Sequence, residues 1–268
     1  MIDSAIAEDI GAGDITSQAL IPADERYHGT LRARADMVVA GLAVAERVFK
    51  KIEPGCTFQT NTQDGERLNA GEVIAEVRGP ARGLLTAERT ALNFVQHLSG
   101  IATVTRSYVD LIAGTGAVLL DTRKTIPGLR VLEKYATRMG GATNHRMRLD
   151  DAVLIKDNHI AVSGSIAEAI KRARDAGLSN IEVECDTLDQ VQEAVDAGAE
   201  IIMFDNMDAT MLKKAMALVN GKAKTEASGG VNLETIRAIA ETGVDTISVG
   251  RITQSAPAVD IGLDWLTE

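Results

Sequence analysis

From residue 114 onward the chain alternates short apolar runs with amphipathic stretches, and this rhythm limits the available folds more than any other feature. The runs fall at 117–120, 153–155, 181–183, 201–204, 223–226 and 246–249, with helical spacing at about 127–139, 165–176, 187–197, 208–219 and 232–242. Short buried strands separated by helices are the mark of parallel βα units, and right-handed crossovers close such units towards a barrel with helices outside. Leu188 to Val195 and Leu233 to Ile239 carry apolar residues at helical spacing, as outer helices packing inward should.

Each run gives way to polar residues: Asp121 with Arg123 and Lys124, Lys156 with Asn158, Glu182 and Glu184, Asp205 with Asn206, Glu226 with Ser228, Gly229 and Gly230, and Gly250. In parallel α/β architectures the C-terminal strand ends share one mouth, where ligands bind. Any one of these residues alone reads as a strand terminator; six in succession read as a site. Ser228-Gly229-Gly230, leading towards a helix near Asn232, and Gly250 offer unobstructed backbone N–H groups for phosphate. Glu184 and Asp205 are hard oxygen donors suited to Mg²⁺ or ribose hydroxyls. Arg123, Arg146 and Lys156 suit carboxylates. The set fits a phosphorylated sugar with a metal beside a small polycarboxylate, and it contains no Ser/His/Asp nucleophile arrangement.

Charge distribution agrees. The chain has 268 residues and a formal charge of −10, yet residues 121–158 gather Arg123, Lys124, Arg130, Lys134, Arg138, Arg146, Arg148 and Lys156. Crowded like charges cost free energy, which an anionic ligand offsets. The acidic balance argues against nucleic-acid binding. No run of 18 apolar residues spans a membrane, and the N-terminus lacks a secretory signal pattern. Cys56 and Cys185 are too few and too distant for a disulfide framework or zinc site, so the cytoplasm is expected.

Before residue 114 the pattern is mixed. Residues 1–27 are acidic, with Asp14-Ile15-Thr16-Ser17 a helix start or turn. Alternation around 29–35 predicts a strand and 43–52 a helix. Residues 65–79 read as two short strands joined by glycine turns, like the hairpins of lipoyl modules but without a lysine to modify. A long amphipathic helix is expected from Thr86, placed as its N-cap, to about Ala113. Arg89 would then oppose the dipole in the first turn, unless it is a solvent-facing arginine with a local carboxylate such as Glu88.

These residues are familiar in combination. Glu88-Arg89-Thr90, Leu98 to Thr103, Asp121 to Thr125 with Pro127-Gly128, Gly140-Gly141 with Asn144-His145-Arg146, Leu154 to His159, Glu182-Val183-Glu184, Phe204-Asp205-Asn206, Glu226 to Gly230 and Ser248-Val249-Gly250 occur in order. Over nearly its whole length the chain resembles the quinolinate phosphoribosyltransferase family. The resemblance implies an N-terminal α/β sandwich (residues 1–100), an incomplete α/β barrel (101–258) and a tail (259–268) packing back on the first domain. It implies transfer of phosphoribosyl from phosphoribosyl pyrophosphate to quinolinate with loss of CO₂, in the de novo route to NAD, with Mg²⁺. It places Arg123, His145, Arg146 and Lys156 on the quinolinate carboxylates. Arg89 would reach them from the neighbouring subunit of a homodimer, with a hexamer the further option. Lys124, Glu184, Asp205, Ser228, Gly229 and Gly230 fall on the phosphoribosyl group, its metal and the pyrophosphate, and Gly250 on the 5′-phosphate; Lys124, Lys156, Glu184 and Asp205 are the catalytic set, Glu184 and Asp205 the metal set. One departure stands out: the family's histidine after the last glycine turn is here Gln254, which donates but carries no charge. Rival readings are a paralogue acting on another carboxylated heterocycle, a non-catalytic phosphosugar sensor, and an aldolase using Lys156 as a Schiff base.

Overall fold

The computed structural model describes residues 1–266; the last two residues of the expected tail lie outside the described residues. In chain order the elements are α1 (Ile2–Ile10), α2 (Ile15–Leu20), β1 (Arg26–Ala33), β2 (Met37–Val38), α3 (Leu42–Ile52), β3 (Thr57–Thr60), β4 (Arg67–Leu68), β5 (Val73–Pro80), α4 (Ala81–Leu111), β6 (Val118–Leu120), α5 (Arg130–Met139), β7 (Leu154–Ile155), α6 (Asp157–Ser163), α7 (Ile166–Asp175), β8 (Glu182–Cys185), α8 (Leu188–Asp196), β9 (Ile201–Asp205), α9 (Ala209–Val219), β10 (Lys224–Ser228), α10 (Ile236–Ala240), β11 (Thr246–Ser248), α11 (Arg251–Gln254) and β12 (Ile261–Trp265).

Two compact units share the chain discontinuously: 1–106 with 125–141 and 255–268, and 107–124 with 142–254. The two units thus interleave along the chain, whereas the expected division falls near residue 100. α5, which comes after β6 in the βα rhythm, belongs to the first unit. That unit holds an antiparallel sheet in the order β12-β1-β5-β3. The tail strand β12 lies beside β1, with Leu31 opposite Leu263. α3 buries Leu42, Ala45, Val48 and Phe49 at helical spacing. These join Leu31, Ile74, Val77, Leu84 and Val95 in one core. The 65–79 segment is not a hairpin: β4 pairs with β2, whereas β5 pairs with β1 and β3.

α4 corrects a second expectation. It begins at Ala81, so Thr86 is no cap. The Thr86 hydroxyl is shared between Asp14 Oδ2 at 2.9 Å and the Arg82 carbonyl at 2.8 Å. Arg89 is two turns in and exposed, where the dipole argument has no force. Asp14 does open a helix, accepting from the Ser17 N–H at 2.9 Å.

The second unit is a six-stranded parallel sheet in the order β6-β11-β10-β9-β8-β7. β6, first in the chain, pairs with β11, the last, so the sheet winds round on itself and stays open between β6 and β7. α7, α8 and α9 are each N-capped by a side-chain oxygen, from Ser165, Thr187 and Asp208. Each turns an apolar face inward, such as Val191, Ala194 and Val195 of α8. α10 is shorter than its pattern: Asn232 takes the N–H groups of Glu234 and Thr235 in a turn, and Leu233 is 46% exposed instead of packed. α6 has no counterpart in the apolar pattern.

Candidate active site

The strand ends and loops of the second unit enclose a cavity of about 600 Å³. Its lining includes Arg123, Lys124, His145, Arg146, Lys156, Glu184, Asp205, Glu226, Ser228, Gly229, Gly230, Gly250 and Gln254. So residues from six strand ends do meet, and Arg123 and Lys156 share one chamber. Arg89 lies in the first unit, exposed on α4.

Local structure explains each placement. The β6 end delivers Asp121, which is fully buried. It is a clamp, not a ligand group: its carboxylate accepts from the His145 N–H at 2.9 Å and from Asn144 Nδ2 at 2.6 Å. This fixes the loop that presents His145 and Arg146. Arg146 also donates to the Ala152 carbonyl at 3.1 Å. Burial and the neighbouring Arg123 charge lower its pKa, opposed by Glu182 and Asp151. Two guanidiniums crowded in a partly dry chamber favour an anion between them.

β8 and β9 bring Glu184 and Asp205 to adjacent strand ends. Glu184 is paired with the Lys156 ammonium. Burial, with help from Asp186, raises the Asp205 acid, against Lys156 and Lys124. Asn206 Nδ2 donates to Asp205 Oδ2 at 2.6 Å. A divalent cation such as Mg²⁺ would relieve the burden on Asp205, so the donor pair fits one.

The glycine turns are closely packed, and no helix starts at Asn232. Gly229 has φ +81°, and an added Cβ would lie 2.3 Å from Asn206 Oδ1. The Asn206 N–H donates to the Ser228 carbonyl at 2.9 Å, tying the two turns together. At Gly250 an added Cβ would meet Lys124 Cδ at 2.8 Å. The Lys124 side chain thus crosses the glycine closely, and Thr253 Oγ1 holds the Lys124 carbonyl at 2.6 Å. Since α10 starts only at Ile236, residues 228–230 present loop N–H groups and not a helix N-terminus. Gln254 ends α11 at the cavity, as does the unforeseen Arg251 at its start. Its position directly after Gly250 was the available signal.

Two glutamates expected at strand ends lie deeper. Glu182 opens β8 and Glu226 is central in β10; both are buried. His145 Nε2 stands 3.3 Å from Glu182 Oε2 and 3.6 Å from Glu226 Oε2. The Arg146 N–H donates to His145 Nδ1 at 2.7 Å, which leaves Nε2 facing the acids. His145 thus lines the cavity with its ring set against the two glutamates. The three groups lie within 4.8 Å of one another.

Comparison with known proteins accounts for this constellation. Residues 14–99 match the model described as quinolinate phosphoribosyl transferase, N-terminal domain, and residues 101–264 match the C-terminal domain of the same name. The chain belongs to the quinolinate phosphoribosyltransferase family. It is 45% identical over 266 residues to a probable nicotinate-nucleotide pyrophosphorylase (carboxylating) of Bacillus subtilis, covering 98% of this chain and 92% of that one. The solved nicotinate-nucleotide pyrophosphorylase of Francisella tularensis superposes with TM-score 0.95 at 41% identity, covering 99% and 94% of the two chains. That of Ehrlichia chaffeensis gives 0.95 at 42% identity, covering 99% and 97%. Family membership removes the aldolase reading of Lys156, whose ammonium is paired with Glu184 instead of lying in an apolar pocket. No helix among the described residues is long and apolar enough to cross a membrane.

Proposed function

We propose that the protein transfers phosphoribosyl from phosphoribosyl pyrophosphate to quinolinate with decarboxylation, giving nicotinate mononucleotide, pyrophosphate and CO₂ for NAD synthesis. One observation carries the reading: Arg123, Arg146 and Lys156 line the same cavity as Glu184, Asp205 and the glycine turns at 228–230 and 250. A dicarboxylate and a phosphorylated pentose need those two halves side by side. Nicotinate alone would need fewer cations, and a sensor would have little use for the paired acids at the strand ends.

Arg123, Arg146 and Lys156 take the quinolinate carboxylates. The N–H groups of Gly229, Gly230 and Gly250, with Ser228 and Lys124, take the phosphates. This holds the pyridine nitrogen facing the anomeric carbon, and such positioning is a large part of the rate. As pyrophosphate leaves, Lys124 and Lys156 balance its charge, and Glu184 and Asp205 stabilise the cationic ribose. Mg²⁺, held by Glu184 and Asp205, supplies further neutralisation of the leaving group when bound. The active form is a homodimer in which Arg89 completes the partner's site, in the cytoplasm; the two buried, unbridged cysteines suit that reducing compartment.

Incubation with quinolinate, phosphoribosyl pyrophosphate and Mg²⁺ should release CO₂ and pyrophosphate, with nicotinate inert as acceptor. Equal rates with nicotinate would refute the assignment. For the dimer, Arg89→Ala co-expressed with Lys156→Ala should regain activity, since a hybrid keeps one intact composite site. No recovery in the mixture counts against sharing.

A further inference from the structure

The cavity floor holds an acid to which phosphoribosyl transfer itself gives no task. Glu226 is 2% exposed and Glu182 4% exposed, and the Oε1 atom of each has no hydrogen-bond partner among the described residues. Both carboxylates crowd the same nitrogen, His145 Nε2. Two ionised carboxylates in a dry floor are strongly disfavoured, so the site must bind a cation or keep a proton. The His145 Nδ1 accepts from the Arg146 N–H, which leaves Nε2 facing the two acids. One imidazole cannot balance two buried carboxylates, so a carboxyl keeps a proton.

Of the two acids, Glu226 lines the cavity. It faces Glu182 from β8, His145 from the loop after β6, and the Thr246 and Ser248 hydroxyls of β11; β9 presents Met203. Burial first, then the Glu182 charge, pushes its acid up to about 7, against His145 and the two hydroxyls. Among the other groups around the chamber, Arg123 and Arg146 do not give up protons and Lys156 pairs with Glu184, while Asp205 stands at a strand end opposed by Lys156 and Lys124.

We propose that Glu226 is a catalytic residue, the acid that protonates ring carbon 2 after CO₂ has left. The inference rests on the phosphoribosyl transfer to quinolinate. In the step, the bond between carbon 2 and its carboxylate breaks, and CO₂ departs. The electron pair stays on carbon 2 beside the quaternised nitrogen. Carbon 2 then takes the Glu226 proton, forming C–H and leaving a Glu226 carboxylate, which solvent reprotonates before the next turnover. A neutral acid suits this place because, unlike arginine or lysine, it does not stabilise the carboxylate that must be lost.

The test is Glu226→Gln, with pyrophosphate and CO₂ counted in the same reaction of quinolinate, phosphoribosyl pyrophosphate and Mg²⁺. Wild-type protein should give equal amounts. The variant should give pyrophosphate in excess of CO₂ by at least about tenfold, the low end of what a positioned acid contributes, and release the dicarboxylated mononucleotide, visible by mass. Without a proton, the carbanion recaptures CO₂, so the first half of the reaction outruns the second. Equal falls in both products, or no change in either, overturn the proposal. Wild-type protein that makes neither product overturns the parent reading as well, so the two failures differ. Should Glu226→Gln fail to fold, infrared spectra of the wild-type protein must show a carboxylic-acid carbonyl band that vanishes as pH rises through about 7; its absence sinks the idea.

Discussion

The cavity contains two layers of acid built from the same residue types, and they behave differently. At the rim, Glu184 and Asp205 end their strands within reach of cations: Lys156 pairs with Glu184, and Lys156 and Lys124 both oppose the upward shift of Asp205. On the floor, Glu182 and Glu226 meet one imidazole and two hydroxyls. Glu182 and Glu184 are two residues apart in one strand, so they point to the same face, one layer apart. Depth alone turns one acid into a charge balancer and its neighbour's partner into a proton store. A carboxylate's chemistry here is set by which cations can follow it inward.

Several variants would break or sharpen this contrast. The largest effect belongs to the rim. Lys156→Ala should strip Glu184 of its partner and the substrate of an anchor, lowering kcat/KM by at least about a hundredfold; a near-normal steady-state value defeats the assignment. Gly229→Ala should come next. Its Cβ would collide with Asn206 Oδ1 at 2.3 Å, and a strain of about 1–3 kcal/mol displaces the phosphate donors. The KM for phosphoribosyl pyrophosphate should rise about tenfold, with the quinolinate KM changing less.

The floor should register in stability. Glu226 is raised from 4.5 to about 7, so the folded state holds its proton more tightly than the unfolded chain. Folding is then unpenalised below pH 4.5, and stability declines as pH climbs from 4.5 towards 7. Glu226→Gln should flatten that decline, read as thermal midpoints across the interval; an unchanged slope places the proton elsewhere. The smallest effect is at the edge. Gln254→His should lower the KM for phosphoribosyl pyrophosphate at acidic pH by up to about fivefold, the worth of one exposed ion pair. No pH-dependent gain would mean that this exposed side chain does not touch phosphate.

How much of this was visible in the sequence differs by region. The βα rhythm located all six strands of the second unit, because parallel strands buried on both faces leave continuous apolar runs. It also named the cavity residues Arg123, Lys156, Glu184 and Asp205, since strand ends carry them, while Arg146 stood out only in the run of cations from 121 to 158. It misjudged Asp121, which clamps the 144–145 loop, and it took Glu182 and Glu226 for rim groups. Periodicity gives the face a side chain points to, but not how far inside the sheet it stands. The start of α4 was misplaced because Thr86 looks like a cap, whereas its hydroxyl serves Asp14, 72 residues away.

By itself, then, the sequence determined the alternation of elements, the family and the types of group in the cavity, because these depend on local spacing and side-chain chemistry. Only the tertiary structure decided which unit each segment joins, which groups the His145 ring faces, and which carboxylates are beyond the reach of lysine. Those depend on distances between residues remote in the chain, and at a buried acid a few ångströms decide whether it is charged.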